Sequence, residues 1–503
     1  MNKLLNDEII NLFPLIIKVS TWSVRIFLLS FIIITICICT SFAQSFTHPG
    51  LLNNEKELNA IKAIINSNLN HPMKSGWKNL QNSNFASLTY KPTVYTKVTF
   101  DNGASESAIK NDAHRTYACA LSWVVTGDIA YAKKAIEIMN NWSYNVVELT
   151  GSSHGQDFPA QACLEVSWYA PIFCAGAEII RYYKNGAAGW TDGDIKKFEA
   201  FLSKCEDLSN HIVGMGGYSS FNPVSNWGTS AIFAKLSINV FKNNRTEYNA
   251  SINKYFSKVI QAFKASGETN EVGRDPVHGQ YAMVGMAMSA EIERHQGTTR
   301  IYDSIVKGSI DDKIPRMFLI YRHMNQILLG EVANSAKDNA YLTASSAQGQ
   351  EIALNYYRSI LKGSSENIRP IEKVTLRDRP KNDMYQQFPY FTYLTHADLE
   401  SALHYKPTEI SHHSHLTYRD NIAFNIVQNN GSLFAELSLP AQSFAEISFH
   451  QTNGKLTNKL SVAATNQGKS RINCNALHLK NGFYIVSVKA GSQRISNKVH
   501  IIH

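Results

Sequence analysis

Cysteine is sparse in this 503-residue chain, and what there is follows no plan. Cys37 and Cys39 lie in an apolar leader. The other five, Cys119, Cys163, Cys174, Cys205 and Cys474, are odd in number and have no metal or disulfide spacing. A disulfide scaffold is excluded, and most of these thiols are expected to be small buried hydrophobes. No calcium loop or zinc motif occurs, so no metal or other cofactor is expected. Charge of one sign is thin as well. The formal charge is +9, yet ten Lys and Arg against four Asp and Glu lie from residue 406 onward. The first 43 residues hold three against two, which leaves a net +2 for the long middle of the chain. Nucleic-acid binding has no basic stripe to rest on, and an acidic substrate must be met by individually placed residues.

At the N-terminus, Lys18 and Arg25 precede "IFLLSFIIITICICTSFAQS", an apolar run ending in the small-x-small triplet Ser41-Phe42-Ala43. Residues 1–43 read as an export signal; the long basic leader leaves an uncleaved membrane anchor as the alternative. After cleavage no membrane span is expected. An apolar content of 44% with 11% aromatics suits a packed protein of two or three domains.

From residue 44 to 405 strand-like alternation is scarce and helical spacing dominates. "DAHRTYACALSWVVTGDIAYAKKAIEIMNNWSYNV" reads as two helices broken at Thr126-Gly127-Asp128. "AQACLEVSWYAPIFCAGAEIIRYYKNG" is a long segment that contains Pro171 and stops at Gly186. Further helices are expected over 191–208, 226–241, 247–266, 276–294, 314–330 and 347–362. Many paired helices without a short exact repeat favour a mainly α fold, an (α/α) toroid, over a solenoid or a simple bundle.

Beyond residue 406 the pattern changes to period two, as in "SLFAELSLP" and "GFYIVSVKAGSQRISNKVHII". A small antiparallel β-sandwich is expected over 406–503. His412, His413 and His415 at the junction read as a solvated linker in preference to a metal site.

Chemistry concentrates in "GETNEVGRDPVHGQYAMVGM", residues 267–286. Asp275 followed by Pro276 is a cap and first-position pair, so a helix is expected to start there. Arg274 sits at its entrance, and His278 and Tyr281, three apart, share a face. An anion near this end meets the guanidinium and the positive end of the helix together. Taken singly, each of these residues reads as an ion-pair partner or as core filling; as a set they read as a site. "GGYSSFNPVSNWGTSAIF" adds a Gly-rich aromatic loop opening a second helix. Alone, Asn226 reads as the cap of that helix. Within the set its amide is a donor for a carboxylate, with Trp227 and Tyr218 offering flat faces to a sugar ring.

Residues 85 to 400 resemble the alginate lyase superfamily of polysaccharide lyases, through the "DAHRTYACALSW" segment, "SNWGTS" and "GRDPVHGQY" taken together. The C-terminal region is similar to the sorting domain of the type IX secretion system of Bacteroidetes, through "GKLTNKL" and its closing strands. The first resemblance implies a toroid of paired helices that cleaves a uronate polymer by β-elimination. Alginate is the first candidate substrate; glucuronan or another polyuronate is the alternative. By motif position Asn226 and Arg274 would serve the C6 carboxylate, and Tyr281 would be the acid or perform both proton transfers. A phenol with a pKa near about 10 is a poor base at neutral pH, and the nearby Arg274 is expected to favour the phenolate. Some members carry His directly after the Asn, as base for one sugar epimer; here that position is Trp227. His278 is then the first candidate base and His154, in "GSSHGQDFPAQACLE", the second, which leaves epimer preference open. Gln161 and Glu165 are expected along the cleft with His154. The second resemblance implies export through the periplasm to the surface or medium, with the type IX machinery as partner. Two other classes stay open. A glycoside hydrolase would need two carboxylates flanking the bond, and Glu165, Glu268, Glu271 and Asp275 show no pairing in the sequence. A non-catalytic glycan-binding protein is the other.

Overall fold

The computed structural model describes residues 45–305, 314–333, 340–346, 349–360, 365–379, 391–405, 423–429, 432–439, 444–463, 468–490 and 493–501. The expected export signal and the His412, His413, His415 triplet lie outside these residues. The chain divides into two compact units between Tyr405 and Lys406.

The first unit is helical. It opens with α1 (Glu55–Ile65) and α2 (Met73–Asn82), then α3 (Ala104–Thr126), α4 (Ile129–Asn145), α5 (Ala160–Tyr182) and α6 (Asp192–Val213). Next come α7 (Asn226–Phe241), α8 (Arg245–Ser257), α9 (Pro276–His295), α10 (Arg300–Asp303) and α11 (Arg316–Leu328). It closes with α12 (Ala340–Thr343), α13 (Gln350–Ile360), α14 (Ser365–Asp378), α15 (Thr392–His396) and α16 (Leu399–His404).

Local chemistry sets the boundaries. Gly127 ends α3 in the left-handed region at φ +77°, and the Asp128 side chain accepts from Ala130 N to start α4. Asn54 and Glu57 form a reciprocal capping box on α1. The α5 segment ends at Tyr182, short of the expected Gly186, because Tyr183 already leaves the helical region at ψ +132°. The 247–266 segment likewise ends at Ser257 and continues only as a 3-10 turn, Val259–Ala262. Helices α1 and α2 were not among the expected segments.

Alternate helices line the ring. α3 packs on α5, α5 on α7 and α7 on α9, while α4, α6 and α8 back them from outside. The circuit continues from α9 to α13, to α15 and α16, to α1, and back to α3. The first unit is therefore a closed toroid of paired helices. Close approach is permitted by small residues at the crossings: a Cβ on Gly176 of α5 would stand 2.9 Å from a Thr116 side-chain carbon of α3. Among the described helices only α5 is long and apolar enough to cross a membrane, and that window is wholly buried in the core.

Four-residue strands β1 (Lys97–Phe100) and β2 (Glu148–Gly151) form a parallel pair, missed in the sequence because so short a run carries no alternation. Its use is positional: β2 delivers the loop that precedes α5.

In the second unit, β3 (Ala423–Asn429), β4 (Ser432–Leu439) and β7 (Gly468–Asn473) form one antiparallel sheet in the order β3-β4-β7. The other, in the order β6-β5-β8-β9, contains β5 (Phe444–Gln451), β6 (Leu456–Ala463), β8 (Gly482–Ala490) and β9 (Gln493–Ile501). Phe424, Leu433 and Leu437 of the first sheet share one core with Ile447, Phe449 and Val486 of the second. This is a small antiparallel sandwich. Cys119, Cys163, Cys174, Cys205 and Cys474 are all free and buried.

Candidate active site

The helix α9 starts where its capping chemistry requires. Asp275 is the N-cap, Pro276 holds the first position, and one Asp275 oxygen accepts from His278 N at 2.7 Å. Its other oxygen lies 2.6 Å from His278 Nδ1. An ionised carboxylate only accepts, so Nδ1 carries the hydrogen and the neutral imidazole keeps its lone pair on Nε2. Burial alone would raise the Asp275 carboxyl, but the backbone and side-chain hydrogen bonds from His278 hold it below its usual range. The His278 ring meets the Tyr281 ring at 5.5 Å between centroids. Tyr281 is only 6% exposed, with its ring 5.7 Å from Trp168. Trp168 in turn donates to Ser230 Oγ of α7.

Helix α7 begins with Asn226, and its cap is Ser225, whose Oγ accepts from Trp227 N at 3.2 Å. The capping role weighed for Asn226 is therefore taken by its neighbour, because only Ser225 has the extended backbone of a cap, φ −156° and ψ −173°. Asn226 instead faces Glu271. Its backbone N–H and its Nδ2 donate to the two Glu271 oxygens at 2.8 and 2.5 Å. Arg274 N donates to the Glu271 carbonyl at 2.9 Å, closing a turn. One glutamate thus docks the Arg274 turn onto the start of α7. The Arg274 side chain is 62% exposed, with Nε 3.8 Å from Asp275. Gly228 seats the preceding loop: a Cβ there would stand 1.9 Å from the Pro223 carbonyl oxygen. Burial raises the Glu271 carboxyl to about 7, against the pull of the Asn226 hydrogen bonds and Arg274.

Beside Asn226 runs an aromatic wall. Tyr218 stacks on His211 at 3.6 Å, His211 on Phe158 at 4.2 Å, and Phe158 meets Phe221 at 5.9 Å. Phe221 meets Trp227 edge-on at 5.4 Å, and Trp227 meets His154 at 5.9 Å. One face of Tyr218 is covered by His211, and its hydroxyl donates to Asp207 at 3.0 Å. His154, in the loop after β2, is exposed and sits in the left-handed region at φ +49°. Its Nε2 lies 2.8 Å from Gln161 Oε1, while Gln161 Nε2 donates to Glu165 at 2.8 Å. That donation fixes the amide, so His154 carries its hydrogen on Nε2. Lys110 lies 2.7 Å from the buried Glu165.

The eight residues picked from the sequence therefore fall into two connected groups. Asn226, Arg274, His278 and Tyr281 lie at the paired starts of α7 and α9; Trp227, His154, Gln161 and Tyr218 continue along the wall. Sequence reasoning missed the tie made by Glu271 and the wall residues His211, Phe158 and Phe221. No local spacing announces the tie, because its partners stand 45 residues apart. Of the four carboxylates weighed for a hydrolase, Glu271 and Asp275 lie close enough for the Asp275 charge to add to the rise of the Glu271 carboxyl, and each of the four is engaged by another group. Glu165 contacts Lys110, Glu268 lies 3.7 Å from Lys264, Glu271 holds Asn226 and Asp275 holds His278.

Residues 71–311, which include Asn226, Arg274, His278 and Tyr281, match the model of the alginate lyase family. The helical unit is similar to the alginate lyases over that span, which marks the protein as a polysaccharide lyase. Residues 423–502 match the secretion system C-terminal sorting domain, which points to export. Among solved structures, alginate lyase A1-III from Sphingomonas species A1 is 14% identical, with a TM-score of 0.48 over 71% of this chain and 98% of that one. An alginate lyase from Bacteroides ovatus is 11% identical, with a TM-score of 0.49 over 69% and 99%. No curated protein sequence matches the chain. In the helical unit, Asn226 and the Arg274–Tyr281 segment stand at the N-terminal ends of two ring-lining helices, α7 and α9, where backbone N–H groups favour anions.

Proposed function

We propose that the protein cleaves a uronate polymer, alginate first and glucuronan or another polyuronate as the alternative, by β-elimination at this site. The observation that carries the reading is the Glu271 tie, which sets Asn226 beside the turn bearing Arg274, with His278 and Tyr281 on the helix that follows.

A uronate C5 proton is a poor acid while the C6 carboxylate keeps its full charge. Asn226 and Arg274 receive that carboxylate and stabilise the enolate that develops as the C5–H bond breaks. The proton goes to His278 Nε2 or to the Tyr281 phenolate. The electron pair then forms the C4–C5 double bond and expels O4, which takes a proton from Tyr281. The products are a new reducing end and a 4,5-unsaturated non-reducing end. Trp227, His154, Gln161 and Tyr218 line the path of the polymer.

As for the domains, residues 1–43 serve as the export signal, 44–405 as the catalytic toroid and 406–503 as the sorting domain that engages the type IX machinery. The cell surface or the medium is the destination.

The test is ultraviolet absorbance of the unsaturated product while the purified chain acts on polymannuronate, polyguluronate and glucuronan. A rise on one of them names the substrate. Reducing ends without absorbance would establish hydrolysis instead. Neither signal, with binding retained, would establish a glycan-binding protein.

A further inference from the structure

Glu271 does more than tether Asn226. Both Glu271 oxygens are spent on Asn226, one on its backbone N–H and one on its Nδ2. Asn226 is buried, and its Oδ1 has no hydrogen-bond partner. An orphaned buried carbonyl oxygen is costly. Its cause is the charge on Glu271: an ionised carboxylate only accepts, so it draws Nδ2 toward itself and turns Oδ1 away. A uronate carboxylate also only accepts. For such a ligand, Asn226 presents the wrong end of its amide.

Protonation of Glu271 reverses this. One Glu271 oxygen still accepts from Asn226 N, while the other, now a hydroxyl, donates to Oδ1 once the amide has turned by half a rotation. Oδ1 gains its missing donor, and Nδ2 is released with both hydrogens.

We propose that Glu271 is a proton-coupled positioning residue: neutral Glu271 turns the Asn226 amide so that Nδ2 receives the substrate carboxylate, and ionised Glu271 turns it away. A uronate is then bound together with a proton. The inference rests on the reading of Asn226 as a carboxylate ligand. Its surroundings place the switch in the ordinary pH range. Burial raises the Glu271 carboxyl to about 7, Asp275 adds to the rise, and Arg274 opposes it. His278 stands behind Asp275, bonded to it. From α7 the contact is the uncharged Asn226, and from α12 the Tyr341 hydroxyl reaches the Val272 and Asp275 carbonyls.

The test is calorimetric titration of the full-length Tyr281→Phe variant with a tetrauronate of whichever polymer the native enzyme cleaves, in buffers of differing ionisation enthalpy. Bound uronate should take up close to one proton at about pH 8 and almost none at about pH 5. Adding Glu271→Gln should abolish the uptake and retain binding, because a Gln side chain accepts from Asn226 N and donates to Oδ1 without titrating. In the otherwise native enzyme, Glu271→Gln should remove the fall in kcat/KM above about pH 7, whereas Glu271→Ala should lower kcat/KM at every pH. Uptake that persists in Glu271→Gln, or none in its presence, overturns the switch while elimination continues. If the native chain neither cleaves nor binds any polyuronate, the carboxylate site itself fails, and the switch with it.

Discussion

Glu57, on the first turn of α1, meets His295, on the last turn of α9, through a 2.9 Å contact between Oε2 and Nε2. This pair ties the start of α1 to the end of α9. Arg294 Nη2 stands 2.6 Å from an oxygen of Glu57 and of Glu291, and His396 of α15 lies 3.5 Å from Glu291. Burial opposes each charge, yet His295 and Arg294 outweigh it and hold Glu57 at about 2 and Glu291 well below its usual value. Burial would lower His295, but Glu57 outweighs it and the imidazole is raised. The depressed carboxyls contribute stability above about pH 4.5 and lose it as pH falls toward 2; His295 contributes fully below about pH 6.5 and loses it as pH rises through its raised value. The seam should therefore stabilise most between about pH 4.5 and 6.5. Glu57→Gln should cost about 3 kcal/mol there and much less at either extreme. Urea unfolding at three pH values checks this, and an equal loss at all three would refute it.

Trp227 takes a different part from its neighbour Asn226. It is held edge-on between Phe221 and His154, as a wall and not as a proton carrier. Trp227→Ala should raise KM about tenfold through the lost aromatic contact, with a smaller change in kcat. Trp227→His should instead restore a second imidazole beside Asn226 and widen the range of epimers cleaved. Initial rates on polymannuronate and polyguluronate separate the two effects.

On the proposed mechanism, Tyr281 is the group that protonates the departing O4. Tyr281→Phe keeps the ring against Trp168 and removes only the hydroxyl, so binding should persist while kcat falls by about 10³ or more. Asn226→Ala and Arg274→Ala should lower kcat more than they raise KM, since the carboxylate is held most tightly in the enolate-like transition state. Single-turnover absorbance with calorimetric binding distinguishes these patterns; near-normal kcat in Tyr281→Phe would remove the phenol from the mechanism.

What could be read from the sequence follows the range of the forces involved. Asp275-Pro276 announces a helix start because capping is settled within three residues, and α9 begins there. The strands of the second unit announce themselves by period two. The Glu271 tie spans 45 residues and the contact between Glu57 and His295 spans 238, and neither leaves a local pattern. Glu271 consequently read only as a spare carboxylate. The same holds for the wall: Phe158 and His211 are unremarkable in the sequence until the loop after β2 and the end of α6 bring their rings to 4.2 Å.

Asp275 is both a cap and the group that fixes the His278 tautomer, and one substitution separates the two roles. Asn caps helices as well as Asp does, so Asp275→Asn should leave the start of α9 and the unfolding midpoint nearly unchanged. With the carboxylate gone, however, an amide nitrogen can donate to His278 Nδ1. The hydrogen then moves to Nε2, and the lone pair that would accept the C5 proton is lost. If His278 is the base, Asp275→Asn should lower kcat about as far as His278→Ala, on the order of 10²-fold or more. If Tyr281 takes the C5 proton, both variants should keep most of kcat. Parallel kcat and thermal-midpoint measurements on the two variants decide between the bases, because a folding defect would move both quantities together whereas a tautomer change moves only the first.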